Sequence, residues 1–286
     1  MKIGITGASG KLGHLVLEQL LRRTEGTEIV ALARSPEKLA SFEARGVEIR
    51  EANYSIPKTL EPALSGLDRL LLISSSELLN DRAKQHHNVI QAAVHANVRL
   101  IVYTSVLRAD QTSVSVLQEH RQTEAELQAS GIPYVILRNG WYIENYTENL
   151  PTLLSQGTLY GAAGDGKIAA ASREDYAAAA ARVLLEDGHA GKTYELAGSY
   201  QFTKADIAEA VSSWYHKDIQ YKNLTPNEYS SALEGAGLPG PIAQFLVEAD
   251  IAIAHNELSG SGDDLSFLIG RSSRSLDDVL GAQFSS

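Results

Sequence analysis

The segment "ITGASGKLGHLV", residues 5–16, constrains this chain more than any other stretch. It sets Gly7, Gly10 and Gly13 between a β-branched run, "KIGIT" (2–6), and a helical pattern that begins at residue 11. Glycine is required where the chain reverses, where backbone must approach a ligand, and where a helix packs closely on a strand. A helix opening directly after such a turn aims its free N–H groups and the positive end of its dipole back at the turn. At the head of a β–α series this is the arrangement that cradles the pyrophosphate of a dinucleotide.

That series follows. "EIVALA" (28–33), "VEIR" (47–50), "RLLLIS" (69–74), "RLIVYTS" (99–105) and "PYVILR" (133–138) read as strands. Several are apolar without alternation, as in a sheet covered on both faces. Helical patterns fall between them at 11–23, 36–45, 57–65, 81–96 and about 113–130, with Ser35 as an N-cap before Pro36. The alternation predicts an α/β fold with a doubly wound parallel sheet and right-handed crossovers.

The second half changes character. A glycine-rich hairpin or loop, "GAAGDGK" (161–167), precedes a helix whose start has Ser172 and Asp175 at capping-box spacing. "KTYELAG" (192–198) reads as a strand, and two further helices each open on a Thr with an acidic residue three places on. The expectation is a dinucleotide-binding domain over 1–155 and a smaller, mostly helical substrate lobe over 156–286. Residues 168–187 return to the first domain. The lobe is expected at the sheet's carboxyl edge, where open α/β sheets bind ligands.

Composition narrows the chemistry. The 286 residues include no cysteine, which removes disulfides, thiolate catalysis and Cys-based zinc sites. A formal charge of −10 argues against nucleic acid or an anionic membrane as partner. No apolar run approaches the ~20 residues a membrane span requires, and with the glycine turn beginning at Gly7 no signal peptide is expected. A cytoplasmic location is expected, with no metal: His86 and His87 are sequential neighbours that point to different sides of a helix.

The second strand carries a further signal. Dinucleotide folds selective for NAD place an Asp or Glu about 20 residues beyond the turn, on the adenosine ribose. Here the strand ends in Ala33–Arg34, with Lys38 beyond. A guanidinium at that end suits a 2′-phosphate through paired, charge-assisted hydrogen bonds. Lys38 adds a second charge, and the expected cofactor is NADP(H).

Tyr54 and Lys58 form a Tyr-x-x-x-Lys string, the usual proton-transfer dyad of alcohol dehydrogenases. They follow the third strand rather than lying on the helix after the fifth. That helix, "SVSVLQEHRQTEAELQAS" (113–130), has neither tyrosine nor lysine. Tyr54 is left to border the adenine or to pack in the core. Without the dyad, the favoured acceptors are conjugated electrophiles such as quinones, whose oxyanion needs only hydrogen bonds and solvent protonation.

Taken together, "TGASGKLG" (6–13), "ALAR" (31–34), "LLLISSSE" (70–77), "YTS" (103–105), "EHRQTE" (119–124), "LRNGWYIENY" (137–146) and "GAAGDGKIAAASREDYAAAAARV" (161–183) resemble the NmrA-like, atypical branch of the short-chain dehydrogenase/reductase superfamily. Within it the likeness is greatest to NADPH-dependent quinone oxidoreductases of the type 2 class, with triphenylmethane-dye reductases as near relatives. The resemblance implies a Rossmann sheet and NADP(H) held by Thr6, Gly7, Ser9, Gly10, Lys11, Leu12, Arg34, Lys38, Ser74, Ser75, Ser76, Thr104, Asn139 and Trp141. It places Asn139 through Tyr142 near the nicotinamide. Ser9 and Asn53 depart from the family's usual Thr and Asp.

Asn139, Tyr142 and His120 are the candidate catalytic residues. Asn139 offers both donor and acceptor, while Trp141, Tyr142 and Tyr146 offer flat faces to a flat acceptor or build a hydrophobic hinge. His120 lies on one helical stripe with Glu124 and Leu127; it either donates a proton to the acceptor or is a structural histidine tied to Glu124 or backbone. "GAAGDGK" reads as a loop bordering the cleft. The leading function is hydride transfer from NADPH to a quinone-type small molecule, with a homodimer compatible with it. The alternative is a non-catalytic NADP-binding redox sensor of the NmrA type.

Overall fold

The computed structural model describes residues 1–77 and 82–285. Its strands are β1 (Ile3–Ile5), β2 (Ile29–Ala33), β3 (Glu48–Glu51), β4 (Arg69–Leu72), β5 (Leu100–Val106), β6 (Tyr134–Asn139), β7 (Thr158–Gly161), β8 (Thr193–Leu196) and β9 (Gln220–Asn223). Seven of them form one parallel sheet in the order β3-β2-β1-β4-β5-β6-β8. This is the expected doubly wound architecture. The order reverses between β1 and β4, so the chain departs in opposite directions at their carboxyl ends and opens a crevice there.

All five residues of β2 and all three of β1 are buried, which explains their lack of alternation. On one face the helices Pro57–Leu64, Arg82–His95 and Glu119–Ala129 pack in succession; elsewhere the helices Lys11–Leu21 and Arg173–Leu185 pack on each other. Ala177 and Ala179–Ala181 are fully or almost fully buried, and their small side chains permit close helix approach. Leu32, Leu60, Leu64, Leu70, Leu72, Val89 and Ile90 belong to one core cluster. Each such side chain contributes about 1.5–3 kcal/mol by leaving water. Residue 81, the expected start of the fourth helix, lies outside the described residues.

The chain divides into two compact units. The first comprises Met1–Val106, Glu119–Asn139 and Arg173–Tyr194; the second comprises Leu107–Gln118, Gly140–Ser172 and Glu195–Ser286. The second contains the helices Lys204–Tyr215, Pro226–Gly235, Gly240–Ala254, Asp263–Ile269 and Leu276–Phe284. Thr203/Asp206 and Thr225/Glu228 form the two capping boxes their spacing predicts, and Ser275/Asp278 forms a third.

Two local expectations need correction: the Ser35 cap and the hairpin alternative at 161–167. Ser35 stands at the N-cap, but its side chain makes no capping bond, and Pro36–Leu39 is a 3₁₀ turn before a short helix, Ala40–Glu43. Residues 161–167 do not form a hairpin: β7 pairs in parallel with β9, Thr158 opposite Gln220 and Gly161 opposite Asn223. The glycine-rich loop is held by polar side chains rather than by a facing strand. Asp250 accepts the Ala162 amide at 2.7 Å and the Lys204 ammonium at 2.6 Å, with both side chains almost wholly buried. Burial pulls the Lys204 pKa down, against the stabilising charge of Asp250.

Candidate dinucleotide site

Thr6 follows directly on β1 at the sheet's carboxyl edge. Its Oγ1 donates to the Leu71 carbonyl at 3.0 Å and accepts the Ile73 amide at 3.0 Å. The Tyr54 hydroxyl lies 2.5 Å from the same oxygen and 2.9 Å from the Ile73 carbonyl. Burial holds the Tyr54 phenol well above its ordinary pKa. Half-buried, Tyr54 therefore braces the turn through these two bonds.

Gly7 takes the left-handed conformation, φ +60°, that starts the reversal. A Cβ on Gly13 would stand 2.4 Å from the Gly7 carbonyl oxygen, so only glycine lets the helix Lys11–Leu21 sit on the turn. That helix has Gly10 at its N-cap, no side-chain capping bond and no acid in its first turn. Ser9, Gly10 and Lys11 are exposed, whereas the Leu12 side chain is buried and only its backbone can serve a ligand. The geometry suits an anion bound by backbone.

The loop after β4 is fixed by side chains from three other segments. Its three successive amides each donate to a buried side chain: Ile73 to Thr6, Ser74 to Thr104 Oγ1 at 2.9 Å, and Ser75 to His86 Nε2 at 2.9 Å. Ser74 and Ser75 are half-buried and Ser76 is exposed, so the chain between β4 and residue 77 presents itself on a rigid stem. Thr104, expected to touch the cofactor, is 3% exposed, and its Oγ1 supports the Ser74 amide.

The donors also settle the histidine tautomers. An amide can only donate, so His86 Nε2 is unprotonated and Nδ1–H faces Thr123 Oγ1 at 2.9 Å. A guanidinium can only donate, so Arg82, 3.2 Å from His120 Nε2, leaves the His120 proton on Nδ1, toward the Tyr103 hydroxyl at 2.7 Å. Burial, then the Arg82 charge, pushes His86 down to about 3 and His120 well below the usual histidine range. Both rings are neutral.

His120 is 2% exposed with both ring nitrogens engaged. Of its two sequence readings the surroundings match the structural one, although its partners are Tyr103 and Arg82, not Glu124. Glu124 instead accepts Ser105 Oγ at 2.6 Å and a bidentate Arg138 at 3.0 and 2.7 Å, tying β5 to β6. His87 points away from His86 and pairs with Glu126. Among the described residues no group of three or more His, Cys, Asp or Glu could hold a metal ion.

Arg34 sits at the exposed end of β2 and its Nη1 pairs with Glu77 Oε1 at 2.7 Å. Lys38 is exposed in the turn that follows. Asn139 ends β6, 7% exposed, and its Oδ1 is buried with no hydrogen-bond partner. In the second unit, Trp141 packs beside Phe245 with ring centroids 6.1 Å apart. Tyr142 bridges to Ala171 through its backbone, and Tyr146 meets Phe202 edge-on.

The turn, the open helix start, the exposed guanidinium and the unpartnered buried carbonyl together fit an NADP-type dinucleotide. Sequence reasoning missed Glu77, His86, Tyr103 and Arg82. The apolar periodicity around residue 86, with Val89, Ile90 and Ala93 on the buried side, was the one signal that could have turned His86 inward.

Residues 7–187 match the model of an NAD(P)H-binding family. The chain is 45% identical to quinone oxidoreductase 2 of Escherichia coli, over 99% of this chain and 98% of that one. The crystal structure of the E. coli NADPH-dependent quinone oxidoreductase with NADPH matches with a TM-score of 0.95, covering 99% of both chains at 45% identity. The Citrobacter triphenylmethane reductase complexed with NADP(H) matches at 0.93, with 34% identity over 98% of this chain and 99% of that one. An NmrA-like family domain-containing oxidoreductase of Aspergillus flavus is 32% identical over 81% of this chain and 77% of its own length.

Proposed function

The chain belongs to the NmrA-like NAD(P)H-binding family, and from that premise we propose that it is an NADPH-dependent reductase of quinones. The observation that carries the reading is the pairing of an anion-binding glycine turn with an exposed guanidinium at the end of β2, in a chain 45% identical over its whole length to a quinone oxidoreductase.

NADPH supplies the hydride. Everything else falls to the chain. Arg34 takes the 2′-phosphate through its planar fork, with Lys38 adding charge. The amides that open the helix Lys11–Leu21 take the pyrophosphate, and Ser74–Ser76 line the middle of the cofactor on their pinned stem. Asn139 Oδ1, an acceptor without a donor, holds an N–H or O–H of the nicotinamide end or of the acceptor. A buried carbonyl left unmatched costs about 1–3 kcal/mol, which a correctly placed ligand donor recovers. Trp141 and Tyr142 follow directly in sequence and offer flat faces and a phenol to a planar acceptor.

A quinone that gains a hydride still needs a proton. With His86 and His120 locked neutral inside the first unit and no Tyr–Lys dyad in use, that proton comes from solvent, and the oxyanion is stabilised by hydrogen bonds before it arrives. The reading is of a cytoplasmic enzyme acting on small molecules, with no nucleic-acid or membrane partner; a homodimer is compatible with it. No helix among the described residues is long and apolar enough to cross a membrane.

The test is to mix purified protein with NADPH and a panel of quinones and to follow nicotinamide absorbance. Oxidation that scales with protein supports the reading. Flat traces across the panel, with tight NADPH binding, would instead support a redox sensor.

A further inference from the structure

We propose that Glu77 sets how strongly this chain prefers the phosphorylated dinucleotide, by competing with the 2′-phosphate for Arg34. The inference rests on the reading above, that Arg34 receives that phosphate.

Three observations meet here. The Arg34 Nη1 and Glu77 Oε1 atoms are 2.7 Å apart, with side-chain exposures of 63% and 28%, so the carboxylate is the more enclosed partner. Glu77 is also delivered by a constrained segment: the amides of Ile73, Ser74 and Ser75 are captured by Thr6, Thr104 and His86, and the Glu77 amide donates to Ser75 Oγ at 3.3 Å. Finally, β2 ends at Ala33 and is followed directly by Arg34, without an acid. The carboxylate that NAD-selective folds place at the end of this strand is absent there, and one arrives from the loop after β4 instead.

The consequences differ for the two cofactors. A 2′-phosphate must draw the guanidinium away from Glu77 and then lie near a like charge. A 2′-hydroxyl carries no charge, so NADH leaves the Arg34–Glu77 pair intact. Glu77 thus weakens NADPH binding selectively and narrows the preference that Arg34 creates. The pair is exposed, so the effect has the modest size of a surface ion pair, roughly two- to fivefold in affinity, and shrinks as salt screens it.

The experiment is a cofactor titration on wild type, Glu77→Gln, Arg34→Ala and the double variant, by quenching of intrinsic fluorescence at low and high salt. Expected is NADPH binding tightened roughly two- to fivefold in Glu77→Gln, NADH binding unchanged, the gain diminished at high salt, and no gain on the Arg34→Ala background. If Arg34→Ala abolishes the NADPH preference while Glu77→Gln leaves NADPH binding unchanged or weakens both cofactors alike, the inference is wrong and the phosphate assignment stands. If Arg34→Ala leaves the preference intact, the phosphate assignment fails and the inference falls with it.

Discussion

The Nε2 atom of His86 accepts the Ser75 amide at 2.9 Å, joining a buried helix side chain to the loop that leaves β4 at the sheet's switch point. The bond fixes the His86 tautomer, and the tautomer in turn directs Nδ1–H to Thr123. One ring thus connects the helix Glu119–Ala129 to the segment proposed to line the cofactor.

His86→Ala removes that acceptor and opens a cavity in a fully buried site. Unfolding by denaturant is expected to show a loss of about 2–4 kcal/mol, combining the lost volume with the unmatched amide. NADPH affinity is expected to fall as well, because the Ile73–Ser75 stem loses one of its three anchors. A stable variant with undiminished affinity would place the stem's rigidity elsewhere.

Stability should fall with acid earlier than carboxylates alone would dictate. His86 is held at about 3 in the fold against an ordinary 6.5, and His120 is displaced in the same direction. Between those limits the unfolded chain binds protons that the folded chain refuses, so each pH unit of acidification below about 6.5 costs up to about 1.4 kcal/mol per group. The stability is fully present above pH 6.5 and is lost progressively toward pH 3. Denaturant midpoints from pH 7.5 to 5 should show this slope, and His86→Gln should make it shallower by about one proton.

Much of this was legible in the sequence because it is local. Short apolar runs fixed the strands of the main sheet to within about two residues, and Gly7, Gly10 and Gly13 located the turn. The Thr203 and Thr225 caps are likewise local bonds between residues three apart. The contacts that were not legible span long separations between polar residues. Arg34 meets Glu77 across 43 positions, and Arg82 meets His120 across 38. The pairing of β7 with β9 was hidden for the same reason, since β9 reads "QYKN" and carries almost no apolar signal.

Gly13→Ala tests the phosphate turn without touching any charged group. Its Cβ would strike the Gly7 carbonyl oxygen, which is backbone and cannot swing aside. Overpacking of this kind costs about 1–3 kcal/mol, and NADPH binding is expected to be lost at pH and temperature where circular dichroism still shows a folded chain.

Asn139→Ala should separate binding from turnover. Because Oδ1 has no partner in the fold, its removal leaves no protein donor stranded. Stability is expected to change by less than about 1.5 kcal/mol, the upper end of what one hydrogen bond that is made contributes net. The kcat with a quinone is expected to fall roughly 10-fold or more, the scale of one lost positioning or oxyanion hydrogen bond. A variant with wild-type kcat would remove Asn139 from the reaction.

The most direct measurement is a single turnover. NADPH-loaded protein, with no flavin added, is mixed rapidly with a quinone, using NADPH carrying either hydrogen or deuterium at the transferred position of C4. Direct hydride transfer predicts full loss of nicotinamide absorbance in one protein-dependent phase, slowed by deuterium. Stable NADPH absorbance in the presence of quinone, or oxidation that begins only when flavin is supplied, would contradict it.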